Sequence, residues 1–166
     1  MSVLGVDPGT TATGYGLVAR EDGSYRLLEC GVVRPASGDP LARKLVEIHQ
    51  GLQEVLDRLG PELVAVEGVF YGQNARTAAI LGHARGVAVM TAALHGAEVA
   101  EYSPSRIKKA VVGTGTASKE QVGWMVKKHL GLAEVPSPSD AADGCAAALC
   151  HHLVGTGAVA REASES

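Results

Sequence analysis

SVLGVDPGTTATGYGLVAR (2–20) reads as two strands with a tight break between them. The first is a short apolar run that ends on Asp7, where Pro8 and Gly9 stop it at once, as at the end of a buried strand. The second, TGYGLVAR (13–20), leads into SYRLLECGVV (24–33) across Glu21-Asp22-Gly23, read as a three-residue hairpin loop. An acidic residue left at the tip of a buried strand is costly unless it has a purpose. Asp7 is therefore the first residue to follow.

Outward from this hairpin the pattern changes period. Asp39-Pro40 reads as the cap and first turn of a helix, and Leu41, Leu45, Ile48, Leu52, Val55 and Leu59 then recur at spacings of three and four. Gly60-Pro61 ends that helix. LVAVE (63–67) is a second buried strand, tipped by Glu67; residues 73–95 are helical in composition; EVAEY (98–102) is a further strand. Ser118 to Gln121 forms a capping box that opens a helix running to Leu130, and Ser139 caps a last helix over 140–153. The order β-β-β-α-β-α-β-α-α predicts an α/β fold, a mixed sheet with helices on both faces and right-handed crossovers. Residues 1–154 read as one domain and 155–166 as a disordered polar tail.

Composition narrows the class. The 166 residues are 46% hydrophobic and 20% charged, an ordinary balance for a chain long enough to bury a core. Cys30, Cys145 and Cys150 make an odd count without a CxxC pair, which reads as free core thiols in a reducing, cytoplasmic setting. No run of eighteen apolar residues and no basic leader is expected to direct the chain to a membrane. Net charge is −3, yet residues 101–130 hold Arg106, Lys108, Lys109, Lys119, Lys127 and Lys128 against two Glu. That concentration makes a basic face for a polyanion, although Lys127 and Lys128 also suit the end of their helix.

Asp7 and Glu67 sit at the C-terminal ends of strands, the edge where open α/β sheets bind ligands. On adjacent strands they face each other at about 5 Å. Asp140 and Asp143, three apart, share one face of a helix's first turn. Two like charges about 4 Å apart repel by about 4 kcal/mol at an effective dielectric of about 20. Four carboxylates therefore converge only with protons or a cation among them. All-oxygen ligands select a hard ion, Mg²⁺ or Mn²⁺ rather than Zn²⁺, and a pair of such ions is suited to cutting a phosphodiester. Taken singly, Asp7 also fits a plain turn, and Asp140 and Asp143 also fit a helix dipole.

Four stretches now combine: GVDPGTTATGYG (5–16), VEGVFYGQNARTAAILGHARG (66–86), KKAVVGTGTASKEQV (108–122) and DAADGCAAAL (140–149). In this order and spacing the chain resembles the RuvC-type Holliday junction resolvases of bacteria, from about residue 2 to 154. The resemblance implies a ribonuclease H-like fold with a five-stranded mixed sheet. It implies Asp7, Glu67, Asp140 and Asp143 as catalytic, metal-binding carboxylates, served by Mg²⁺ or Mn²⁺. It implies a homodimer that nicks two strands of like polarity symmetrically, leaving 5′-phosphate and 3′-hydroxyl ends, on junctions prepared by the RuvA–RuvB branch-migration machine. Gly68 and Gly144 depart from the larger side chains common after these acids in the family.

The same resemblance gives Phe70, the only Phe, a role in stacking on an unpaired base; without it Phe70 reads as a core residue under a loop. It also gives Lys108 and Lys119 a part in DNA handling. Physically, a Lys beside the Gly-Thr-Gly-Thr loop, or at a helix start as Lys119 is, contacts phosphate. Lys109 and Arg76 are lesser candidates for backbone contact. Gly82 and Gly86, four apart on one helical face, admit a close neighbour: a second copy of the chain, as the family implies, or the protein's own sheet. His151 and His152 lie too far along their helix from Asp143 to share its ion and read as surface or core histidines.

Two other functions fit parts of the chain. DPGTTATG (7–14) looks like the phosphate loop of sugar-kinase and actin-like nucleotide-binding domains, but those need a second such domain and loop. A junction-binding protein without catalysis would not need four acids.

Overall fold

The computed structural model describes residues 1–69 and 74–155. Five strands, β1 (Ser2–Asp7), β2 (Thr13–Glu21), β3 (Ser24–Val33), β4 (Leu63–Glu67) and β5 (Glu98–Tyr102), form one sheet in the order β3-β2-β1-β4-β5. β2 runs antiparallel to both its neighbours, while β1, β4 and β5 are parallel. The expected five-stranded mixed sheet is thus the observed one, with β2 its antiparallel strand.

Alternation along the strands assigns the two faces. Leu4 and Val6 of β1, Leu17 of β2 and Val64 and Val66 of β4 pack under α1 (Leu41–Leu59) and α2 (Ala75–His95). Val3, Val18, Leu63 and Ala65 face the other side, covered by α3 (Pro104–Val112), α4 (Lys119–His129) and α5 (Ser139–Val154). By the same period of two, Asp7 and Glu67 belong to the α5 face.

α5 is the most enclosed element: Ala141, Ala142 and every residue from Gly144 to His152 are buried. It comes this close because the strands beneath it lack side chains. A Cβ on Gly14 would collide with the carbonyl of Asp140, and one on Gly5 with the carbonyl of Gly144. Gly144 answers from the helix side, where a Cβ would stand 2.5 Å from the Tyr15 α carbon. Gly144 is therefore a requirement of the packing rather than a loosening of it. Gly68 is different: among the described residues a Cβ there meets only the Tyr102 carbonyl, its oxygen at 3.5 Å.

Several local expectations are corrected. Glu21 pairs with Ser24, so the hairpin turn has two residues, Asp22 and Gly23, both at positive φ (49° and 81°), which matches the right-handed twist of the strands. Pro40, not Asp39, caps α1, and Pro138 precedes α5, with Ser139 already helical. α3 was not anticipated, although Ser103 caps it, Pro104 opens it and Gly113 closes it in the left-handed conformation. Cys145 and Cys150 are buried as expected, but Cys30 only partly. His151 and His152 are core residues, bonded to the Tyr102 hydroxyl (2.7 Å) and the Val18 carbonyl (2.9 Å). α2 is long and apolar enough by length and mean composition to cross a membrane, although Arg76, His83 and Arg85 interrupt it; in the fold its Ala84, Ala88, Thr91 and Ala92 are buried. Phe70 and the tail residues 156–166 lie outside the described residues.

Candidate active site

β1 and β4 are adjacent and in register, Val6 opposite Val66, so Asp7 and Glu67 leave the sheet side by side at its C-terminal edge. The first turn of α5 is pressed onto that edge at Gly14, which pairs with Asp7 across the β1–β2 ladder. Asp140 and Asp143 are thereby lowered onto Asp7. One carboxylate oxygen from each of Asp7, Asp140 and Asp143 lies within 4.8 Å of the others. Glu67 flanks this trio, hydrogen-bonded to Asp7. The four acids predicted to converge do so as three around one point with the fourth against Asp7.

The electrostatics follow from burial. Burial and then the charge of Glu67 raise Asp7 to about 9, so that its protonated carboxyl donates to Glu67. Burial and the charge of Asp143 raise Glu67 to about 7, against the pull of Asp7, Lys108 and Lys119. Burial also raises Asp143, partly offset by Lys119, whose Nζ lies 3.0 Å from Asp143 Oδ2. That ion pair raises Lys119 in turn. The carboxylates repel one another in a partly dry site, and an all-oxygen trio of this spread fits a hard divalent cation.

Lys108 and Lys119 join Asp7, Glu67 and Asp143 in lining a cleft of about 280 Å³. Lys109 and Arg76 are exposed outside it, Arg76 in the first turn of α2. Among the described residues nothing lies within 4 Å of a Cβ added at Gly82 or Gly86, so their face of α2 does not admit the protein's own sheet. The glycine lane of Gly5, Gly14, Gly16 and Gly144 escaped sequence reading; its signal was the alternate-residue pair Gly14 and Gly16 on β2 beside Gly5 on β1.

The family model for crossover junction endodeoxyribonuclease RuvC matches residues 3–151. The chain belongs to the RuvC family. Crossover junction endodeoxyribonuclease RuvC of Pelotomaculum thermopropionicum is 48% identical over 151 residues, 91% of this chain and 92% of that protein. The RuvC of Chloroflexus aggregans is 45% identical over the same length, again 91% and 92%. Thermus thermophilus RuvC superposes with a TM-score of 0.82 at 38% identity, covering 98% of this chain and 97% of that one. A second T. thermophilus RuvC structure, in complex with a Holliday junction substrate, gives 0.85 at 40% identity over 93% and 94%. The yeast mitochondrial resolvase Ydc2, at 12% identity and a TM-score of 0.60, shares the fold. This is the ribonuclease H-like α/β sheet expected from the sequence.

Proposed function

We infer that this RuvC-family nuclease resolves four-way DNA junctions by paired, symmetric nicks in strands of like polarity, leaving 5′-phosphate and 3′-hydroxyl ends. The observation that carries the reading is the trio of Asp7, Asp140 and Asp143 beside Glu67, on the sheet edge of a chain similar over nearly all its length to a RuvC solved on a Holliday junction.

Asp7, Asp140 and Asp143, with Glu67 at their flank, hold Mg²⁺ or Mn²⁺, two ions per site. A bound ion supplies Lewis acidity and an activated water for phosphodiester hydrolysis. Asp7 would hold the ion as a carboxylate, so that loading of the site would be coupled to pH. Lys108 and Lys119 place positive charge along the carboxylate cleft, where they steady the phosphate being cut. Lys109 and Arg76 contact the backbone further out, and Phe70 is assigned to base stacking at the junction centre.

Two nicks need two sites, and the α2 face supports a symmetric dimer. Gly82 and Gly86 leave it open, and Met90 and Leu94 expose apolar surface beyond them, Leu94 to 74%. A twofold contact there also covers the apolar exterior of α2, so membrane insertion is not needed to explain it. RuvA–RuvB is the partner expected to present the junction, in the cytoplasm.

The test is a synthetic four-way junction with a core that migrates through several sequences, beside a linear duplex, with Mg²⁺, Mn²⁺ or EDTA. Metal-dependent paired nicks in the junction alone, absent from Asp7→Asn, are expected. Tight junction binding without cutting under any metal would overturn the assignment in favour of a structural binder.

A further inference from the structure

The carboxylates open into a second cleft that no role above uses. The Lys108 and Lys119 cleft shares Asp7, Glu67 and Pro104 with a middle section, which in turn shares Gly9, Ala12, Leu81 and Asp140 with a cleft of about 380 Å³. The path crosses the C-terminal end of the sheet. Lys108 stands on the helix after β5, one edge strand; Arg34 directly follows β3, the other. The far cleft is lined by Thr10, Thr11, Arg34 and Thr77, with Asp140 at its inner end.

The loop that brings Thr10 and Thr11 there is pinned. Gly9 N–H donates to Thr13 Oγ1 at 3.2 Å, and the same hydroxyl donates to the Gly9 carbonyl at 2.9 Å. Thr13 is fully buried, while Thr11 is exposed. Arg85, in the middle section, is engaged by Glu101, its Nε 2.6 Å from Oε2. Arg34 is exposed, and among the described residues no carboxylate pairs with it. The far cleft therefore presents one uncommitted guanidinium and three hydroxyls beside a cluster of acids.

We propose that Arg34, with Thr10, Thr11 and Thr77, is a second phosphate subsite that grips the cut strand on the side of the carboxylates opposite Lys108 and Lys119. A strand lying over the carboxylates carries its next phosphate into the cleft that opens from Asp140. That phosphate is repelled by the acids and needs a counter-charge of its own. A guanidinium with neighbouring hydroxyl donors matches phosphate oxygens in charge and geometry. Held at both ends, the strand cannot slide across the cutting position, so Arg34 sets register as well as affinity. The proposal rests on the nuclease reading given above.

The test uses the full chain and a cleavable junction whose cut positions are first mapped with the wild-type protein. Single methylphosphonates, which are neutral, are then placed one at a time along the cut strand, and binding is measured in EDTA and cutting in Mg²⁺. For the wild-type protein, one position flanking the cut phosphate is expected to weaken binding about five- to ten-fold when neutralised. Arg34→Gln should lose about the same affinity with an all-phosphate junction and show no further loss at that position. Its dependence of log affinity on log salt should fall by about one unit, and Arg34→Lys should restore part of it. Arg34→Gln retaining the wild-type salt slope and every methylphosphonate effect would overturn the subsite while leaving the nuclease reading intact. A wild-type protein that neither binds nor cuts the junction would overturn both. Because among the described residues the Arg34 side chain makes no ion pair or hydrogen bond, the thermal midpoint of Arg34→Gln should match wild type, which separates a binding defect from unfolding.

Discussion

The carbonyl of Asp140 rests against the α carbon of Gly14, the residue paired with Asp7 on the neighbouring strand. This contact, rather than any bond between side chains, sets how far Asp140 and Asp143 stand from Asp7. The helix can descend no further, and with any larger residue at position 14 it could not come so close.

Gly14→Ala should accordingly displace α5. Overpacking of a close helix–sheet contact costs about 1–3 kcal/mol, and here it also spreads Asp140 and Asp143 from Asp7. Urea unfolding should show the loss, with cleavage lowered by more than the unfolded fraction explains. Gly68→Ala, where a Cβ finds only an ordinary contact at 3.5 Å, serves as the control and should change stability little. Equal behaviour of the two variants would remove the glycine lane from the explanation of the site.

Asp7 makes a second prediction, about stability against pH. Its folded value of about 9 lies above the unfolded value of 3.8, so the folded protein holds a proton that the unfolded chain releases. The stabilisation is complete below about pH 4 and is lost as pH rises toward 9. Glu67, raised from 4.5 to about 7, acts in the same direction. Without metal, thermal midpoints should fall between pH 7 and 9, and Asp7→Asn should flatten the fall. At pH 8 in EDTA the variant should melt above wild type by at least about 2–4 °C, which corresponds to about 1 kcal/mol for a chain this size. Mg²⁺ should raise the wild-type midpoint alone. A wild-type midpoint that does not fall across this range would contradict the raised values.

The buried imidazoles oppose this trend at the acid end. Burial, the largest cause, holds His151 and His152 below the ordinary value of 6.5. Each therefore contributes stability that is fully present above pH 6.5 and is lost as pH falls through the folded value. The acid limb should persist in Asp7→Asn, since Asp7 has no part in it. Denaturant midpoints between pH 7 and 5 that do not fall in that variant would show the imidazoles taking up protons without cost.

Lys119 is Asp143's partner at 3.0 Å, so it and a cation are rivals for the same carboxylate. Lys119→Met should bind Mn²⁺ at least about five-fold more tightly, the equivalent of about 1 kcal/mol of relieved repulsion. Junction cleavage should nevertheless fall if Lys119 contacts the phosphate as proposed. Calorimetric metal titration and a cleavage time course separate the two effects. Weaker Mn²⁺ binding by the variant would mean that Lys119 orders the site more than it competes for it.

The strand tips were legible because their pattern is local. An apolar run that ends on an acid, as at Asp7 and Glu67, marks both the strand and the exposed end of it, and the alternation along β1 and β4 puts both acids on one face. The capping box at Ser118 and Gln121 was legible for the same reason. The helix α3 was readable from Ser103-Pro104 and Gly113 but short enough to pass as a loop. What no local pattern carries is distance between elements. That Arg34 opens onto the same groove as Lys108, 74 positions later, follows from the two edge strands ending at one end of the sheet.

Sequence by itself determined the strands and their faces, every helix but α3, the placing of acids at the strand tips and the family, since each rests on residue identity at fixed spacing. Only the tertiary structure decided that three of the acids share one point while Glu67 leans on Asp7, that Asp143 is paired with Lys119, and that Gly144 is indispensable. The physical reason is that repulsion, burial and steric contact depend on separations of a few ångströms between segments far apart in the chain. Here those separations are set where α5 comes to rest on the glycines of β1 and β2.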